Sequence, residues 1–216
     1  FQMKKRFGKV SSYEEWIKPV VVENFIELLE KEIPKYKEKI KILHLCFSTD
    51  PFMYGQKEVI DSSLKIVRRL SEENIPCSIL TKGILPRELA NCSKKNEYGI
   101  TIVTLDEEYR KIAEPGAASI RDRIGALRYL KEKGYKTWVS IEPFPTPNIH
   151  AEDLMDILEA VSFVDKIIFG RLHYNKKVSE YKNYKEYYNK CAEKVISFCE
   201  KNDIEYHIKN GTISEL

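Results

Sequence analysis

The chain has 216 residues, 43% of them hydrophobic and 32% charged, with 9 Gly and 9 Pro. That balance supplies a sizeable core and excludes a disordered, collagen-like or low-complexity chain. Lys and Arg number 36 against 33 Asp and Glu, a net charge of +3 that does not announce a nucleic-acid binder, and no stretch approaches the roughly 18 apolar residues of a membrane helix.

Apolar runs alternate with longer amphipathic stretches, the pattern of parallel βα units. A first helical spacing runs from Asn24, a candidate cap, to Ile40, with Pro34 expected to end or kink it. Ile42 to Phe47 reads as a strand ending in the polar turn Ser48-Thr49-Asp50-Pro51, and Val59 to Glu72 returns to helical period. Cys77 to Leu80 is a strand that ends at Thr81-Lys82-Gly83, and Ile100 to Leu105 is another, followed by an acidic helix start at Asp106. The loop Glu114-Pro115-Gly116 precedes a helix from Ile120 to Lys133, which Gly134 terminates. Thr137 to Ile141 is a strand running into Glu142-Pro143, Asp153 to Val161 a helix and Lys166 to Leu172 a strand. A long helix from Tyr181 to Lys201, with Ile196 and Phe198 expected in the core, leads to a sixth candidate strand, Ile204 to Ile208. No composition break marks a boundary. The expectation is one α/β domain over residues 1–216, a parallel sheet of five to six strands, open or curved into a partial barrel.

The 5 cysteines are odd in number and irregularly spaced, so they read as reduced thiols of a cytoplasmic protein. The first six residues are basic with no apolar stretch behind them, unlike a signal peptide. His44, His150, His173 and His207 have no metal-site spacing, and His44, inside an apolar strand, reads as core. Tyr181, Tyr184, Tyr187 and Tyr188 recur at helical spacing and read as a packing face rather than a base-stacking surface.

In parallel α/β sheets, function sits beyond the carboxyl ends of the strands. Those ends here carry Ser48, Thr49 and Asp50, then Thr81 and Lys82, then Thr104, Glu142, and Arg171 with His173. Alternation turns Thr101 toward one face with them. Asp50 before Pro51 is equally a turn former. Lys82, between Thr and Gly, has no capping role and reads as functional.

The order of these motifs resembles the radical S-adenosylmethionine (radical SAM) superfamily, and within it the branch related to spore photoproduct lyase, the DNA repair photolyase-like proteins. The resemblance runs over roughly residues 3–175 and rests on Ser48-Thr49-Asp50-Pro51, Thr81-Lys82, Thr101 to Asp106, Glu114-Pro115 with Arg123, and Pro143 with Pro145. It implies a TIM-like partial (β/α) barrel and a S-adenosylmethionine site. Ser48 and Thr49 would line its methionine end, Lys82 would reach the methionine carboxylate, and Thr101 would face the ribose. Glu114 and Arg123 would stand beside the cofactor, and Glu142 would help wall the adenine. A zwitterionic sulfonium needs just such a cation for its carboxylate and hydroxyls for its ribose.

Two departures accompany the resemblance. Ala118 stands where a proline is expected, and the superfamily's Cys-x-x-x-Cys-x-x-Cys loop, which holds a [4Fe–4S] cluster, has no counterpart in the sequence. Met3-Lys4-Lys5-Arg6-Phe7 resembles the stretch that follows that loop, so the expectation is a radical SAM core lacking its first strand and cluster ligands, with the edge of Ile42–Phe47 approached by Val20-Val21-Val22. Two rivals are a cluster-less relative that binds a small molecule, and an unrelated α/β-barrel lyase with Lys82 as a Schiff-base lysine. The substrate is not readable from the sequence. Nucleic acid has no support from charge, and no membrane partner is expected.

Overall fold

Six short strands, each preceded or followed by a helix, hydrogen-bond side by side in the order of the sequence, every neighbouring pair parallel. The computed structural model describes residues 11–16, 18–45 and 49–215. After a short helix α1 (Tyr13–Trp16), the elements are α2 (Phe25–Tyr36), β1 (Leu43–Leu45), α3 (Lys57–Glu72), β2 (Cys77–Thr81), β3 (Glu97–Thr101), α4 (Glu107–Ala113) and α5 (Ile120–Glu132). Then follow β4 (Lys136–Phe144), α6 (Leu154–Ala160), β5 (Lys166–Arg171), α7 (Lys176–Glu180), α8 (Tyr184–Lys201) and β6 (Glu205–Ile208). The expected α/β class, parallel sheet and sixth strand are all present.

The register divides the sheet into two unlike faces. On one, Cys77, Ile79, Tyr98, Ile100, Val139, Ile141, Ile167 and Phe169 join Leu64, Val67, Leu127, Leu130, Ile157 and Val195 from the helices in one buried core. Each such side chain contributes on the order of 1.5–3 kcal/mol by leaving water. The other, inner face carries Glu97, Gly99, Thr101, Lys136, Trp138, Ser140, Lys166 and Glu205. Lys136 Nζ lies 3.4 Å from both Glu97 and Glu205, reaching past β5 to β6. This contact spans β5 on the inner face of the sheet.

Several boundaries differ from the sequence reading, each for a local reason. The third strand is Glu97–Thr101 rather than Ile100–Leu105. Its start is pinned by Asn96, whose side chain accepts from Cys77 N at 2.9 Å, and its end is drawn out of the sheet where Leu105 N donates to Glu152 at 3.1 Å. The first long helix runs past Pro34 to Tyr36, and Asn24 makes no capping bond. The long C-terminal helix buries Tyr188, Cys191, Ala192, Val195 and Cys199, leaving Ile196 and Phe198 half-buried. Asp106, Ser119 and Asp153 do cap α4, α5 and α6 with side-chain oxygens, and Gly134 takes φ +78° after α5. Tyr188 is buried in the core and Tyr187 touches it edge-on, so the tyrosine row packs rather than presenting a stacking surface.

At the sheet's end, β1 pairs with β2, and Val20 to Val22 form no strand, with Val20 89% exposed. The run therefore does not pair with β1 as a strand. His44, expected in the core, is exposed on the inner face, its ring 6.3 Å from that of Trp138. No helix among the described residues is long and apolar enough to cross a membrane.

Candidate functional site

The carboxyl ends of β1, β2 and β3 are tied together by charge. Asp50, in the turn after β1, accepts from Phe52 N at 2.9 Å, from the Thr81 hydroxyl at 2.5 Å and from Lys82 N at 2.7 Å. Its role is that of a turn former that also clamps the end of β2. Gly83 must be a glycine, because a Cβ there would lie 1.8 Å from the Phe52 carbonyl oxygen. Backbone thus meets backbone, and Lys82 is held where the two loops cross.

From there a chain of ionic contacts runs inward. Lys82 Nζ lies 2.8 Å from Glu114 Oε1, an ion pair that lacks the alignment of a hydrogen bond. Glu114 Oε2 receives Arg123 Nη1 at 3.0 Å, and the same nitrogen donates to the Thr101 carbonyl at 2.6 Å. Arg123 and Glu114 are almost wholly buried, with side chains 1% and 3% exposed, while that of Lys82 is 42% exposed. The loop between α4 and α5 closes over the group, Ala118 N donating to the Lys82 carbonyl at 2.9 Å, while Arg110 braces the loop through the carbonyls of Glu114 and Ala117. Arg110 has its own counter-ion in Glu107, at 2.8 Å.

Of the residues singled out in the sequence, Lys82, Thr101, Glu114 and Arg123 therefore meet at one place. Lys82 and Arg123 reach the same carboxylate, so they do not face opposite sides of the sheet. Glu142 stands apart, its side chain lying across Gly170 and its Oε2 3.4 Å from Lys209 Nζ, over β5 rather than beside Lys82. Thr49 is exposed beyond β1, and Ser48 lies outside the described residues. Thr101 and its register partner Ser140 are buried on the inner face, and neither hydroxyl is hydrogen-bonded to another described residue.

Sequence reasoning missed a second polar group just beyond β3. His150 Nε2 is 3.0 Å from Glu152 Oε2, the Thr104 hydroxyl donates to the same oxygen, and Tyr109 stacks on the imidazole with centroids 3.9 Å apart. Burial raises the Tyr109 phenol above its ordinary pKa, and the charges of Glu114 and Glu152 add to the rise, which sets this group beside the first. The signal available was the pair His150 and Glu152 after the prolines of β4, but its partner Thr104 lies in another loop.

Among the described residues no three His, Cys, Asp or Glu side chains group to hold a metal ion. Cys77, Cys92, Cys191 and Cys199 are free thiols, two of them on α8 and the others at β2 and after Asn91. These four thiols, dispersed over the fold, do not fit an iron–sulfur cluster.

The family model of the radical SAM superfamily matches residues 10–161. The uncharacterized protein ORF301 of Acidianus two-tailed virus is 27% identical over 161 residues, 70% of this chain and 52% of the viral protein. The chain thus spans about half the length of that relative. Among solved structures, spore photoproduct lyase complexed with dinucleoside spore photoproduct superposes with a TM-score of 0.65 at 13% identity, over 96% of this chain and 71% of that one. A variant of the lyase with bound AdoMet and the same dinucleoside gives 0.60 at 14% identity, over 86% and 65%. Streptococcus suis SuiB bound to S-adenosylmethionine gives 0.53 at 14% identity, over 97% and 60%. These likenesses establish the fold, a partial barrel of parallel strands.

Proposed function

We propose that this chain, which belongs to the radical SAM superfamily, holds S-adenosylmethionine across the carboxyl ends of its strands, with Lys82 on the methionine carboxylate. One observation carries the reading. Lys82 and Arg123 share the single carboxylate of Glu114, and Lys82, 42% exposed, is the member that faces solvent. A ligand carboxylate can stand beside the exposed Lys82 ammonium, a compact charge able to turn from Glu114 to meet it.

The remaining donors suit the rest of such a ligand. Thr101 and Ser140, buried residues of the inner face whose hydroxyls bond to no other described residue, suit a ribose. Thr49 stands at the methionine end and Glu142 at the far end, beside Lys209. Three strand spacings separate β2 from β5, roughly 14 Å in all, enough for an extended nucleoside–amino acid molecule. In this reading Lys82 binds, Glu114 aims Lys82, and Arg123 fixes Glu114 against the end of β3. Bound there, S-adenosylmethionine would supply a sulfonium open to reductive cleavage by a separate one-electron donor. The membership in the superfamily also weighs against an unrelated lyase with Lys82 as a Schiff base. A net charge of +3 does not by itself argue for a nucleic-acid substrate, and the free thiols support a reducing, cytoplasmic setting as part of the same proposal.

Calorimetric titration with S-adenosylmethionine tests the reading. Lys82→Ala is expected to weaken binding roughly 10- to 100-fold, the loss of a hydrogen bond to a charged group. Unchanged affinity removes Lys82 from the site.

A further inference from the structure

We propose that Asn210 and Gly211, at the tip of the turn after β6, form a site of spontaneous deamidation, a one-way modification that frees the following segment from β5 and α8. No cofactor or partner takes part.

The turn leaves both reacting groups open. Thr212 N donates to the Lys209 carbonyl at 3.0 Å, closing residues 209–212, and Gly211 takes φ +76° at the third position, a conformation glycine adopts without steric cost. Asn210 and Gly211 are both exposed. Neither the Asn210 amide nor the Gly211 N–H has a hydrogen-bond partner among the described residues. The chain has 10 asparagines, and only Asn210 is followed by glycine. That neighbour matters because its own nitrogen is the one that attacks, and a side chain there crowds the approach. Asn96, Asn148, Asn175, Asn189 and Asn202 are held by side-chain hydrogen bonds, and the rest precede bulkier residues.

The chemistry needs only water. The Gly211 nitrogen loses its proton and attacks Asn210 Cγ. The Cγ–N bond of the side-chain amide breaks, ammonia leaves, and a five-membered imide closes. Water opens the imide at Cγ to give aspartate, or at the main-chain carbonyl to give isoaspartate. In isoaspartate the chain runs through the side-chain methylene, so the backbone gains one carbon.

That carbon enters a connection with little slack. Thr212, wholly buried, offers its hydroxyl to Arg171 N at 3.4 Å, at the end of β5. Two residues on, Ser214 exchanges two hydrogen bonds of 2.9 Å with the Asn189 side chain on α8. A longer turn displaces Thr212 from β6, and these bonds are lost with it.

The test ages the folded chain in mildly alkaline buffer and follows each asparagine by peptide mass spectrometry, with fragmentation that separates aspartate from isoaspartate. Asn210 is expected to gain about 1 Da, roughly tenfold faster than any other asparagine, with isoaspartate among the products. Asn210→Gln, whose imide would need a six-membered ring, should show no such gain. In amide hydrogen exchange read by NMR, the Ser214 N–H is expected to lose protection several-fold in the isoaspartyl form. It should keep its protection in freshly prepared Asn210→Asp, which adds the charge without the extra carbon. No gain at Asn210, or an equal gain at Asn148 and Asn202, overturns the site. Unchanged Ser214 exchange in the isoaspartyl form overturns the release.

Discussion

Lys82 and Arg123 hold one carboxylate between them, the first at Glu114 Oε1 and the second at Oε2, 2.8 and 3.0 Å away. One pairing is half open to water and the other sealed, which divides their duties. An exposed ion pair contributes little to stability, while breaking a buried one strands a charge. Arg123→Met is therefore expected to destabilise the fold by about 3–5 kcal/mol in urea unfolding, whereas Lys82→Ala should change it by less than about 1 kcal/mol. Equal losses for the two substitutions would contradict that division.

Glu114→Gln should behave like Arg123→Met, because it leaves the Arg123 guanidinium buried without a counter-ion. The double substitution Glu114→Gln with Arg123→Met removes both charges, and its cost should fall well short of the sum of the two. The difference is the coupling a double-mutant cycle measures, on the order of 0.5–3 kcal/mol for groups in contact. Additive losses would mean that the pair is not a unit.

Asp165 gives the fold a dependence on pH. Burial alone would raise its pKa, but Lys131 at 2.5 Å and Thr137 N at 2.7 Å more than reverse this, holding the carboxyl below its ordinary value. A lowered folded pKa means that the unfolded chain binds more protons in acid. The stabilisation is complete above the ordinary carboxylate pKa and is lost as pH falls through the folded value. Thermal melts of Asp165→Asn against the parent chain should differ at neutral pH and converge in acid; a gap constant with pH would rule Asp165 out.

The thiols supply a test of the core. Burial pushes Cys77 up to about 12, and Cys191 and Cys199 up to about 11. At pH 8 each is then on the order of one part in a thousand or less thiolate, the form that reacts. Site-resolved mass spectrometry after iodoacetamide treatment should find these three unmodified in the folded chain and modified in urea. Rapid labelling of Cys77 without denaturant would place β2 outside the core.

The sequence made the strands legible where apolar runs were flanked by turn formers, as at Cys77 to Thr81 and Lys166 to Arg171. It misled at β3, because Glu97 and Gly99 look like turn residues. Their reasons lie elsewhere in the chain, in an ion pair with Lys136 and in the indole of Trp138. Motif order singles out Lys82, Thr101, Glu114 and Arg123, and the fold brings these four together. Glu142 did not join them, since its position depends on Lys209 and on the empty side of Gly170, neither of which any local pattern announces. The His150–Glu152–Thr104 group was unread for the same reason, its members meeting only when two loops fold together.

Gly83 ties the packing of the site to its chemistry. Its missing Cβ lets the Phe52 carbonyl approach, and the same loop carries Asp50 onto Thr81 and Lys82 N. In Gly83→Ala, a methyl 1.8 Å from a backbone oxygen cannot be absorbed by a side-chain rotation, so the loop must withdraw. Asp50 then loses its hold on the end of β2, and the Lys82 backbone shifts with it. The expected outcome is a stability loss of about 1–3 kcal/mol, typical of overpacking, together with S-adenosylmethionine binding weakened several-fold even though Lys82 itself is intact. Asp50→Asn, which keeps the shape of the turn and removes the charge, should reproduce part of the binding loss with a smaller loss of stability. Unfolding in urea and calorimetry on the same preparations read the two effects separately. Full affinity in Gly83→Ala would show that the clamp does not position Lys82.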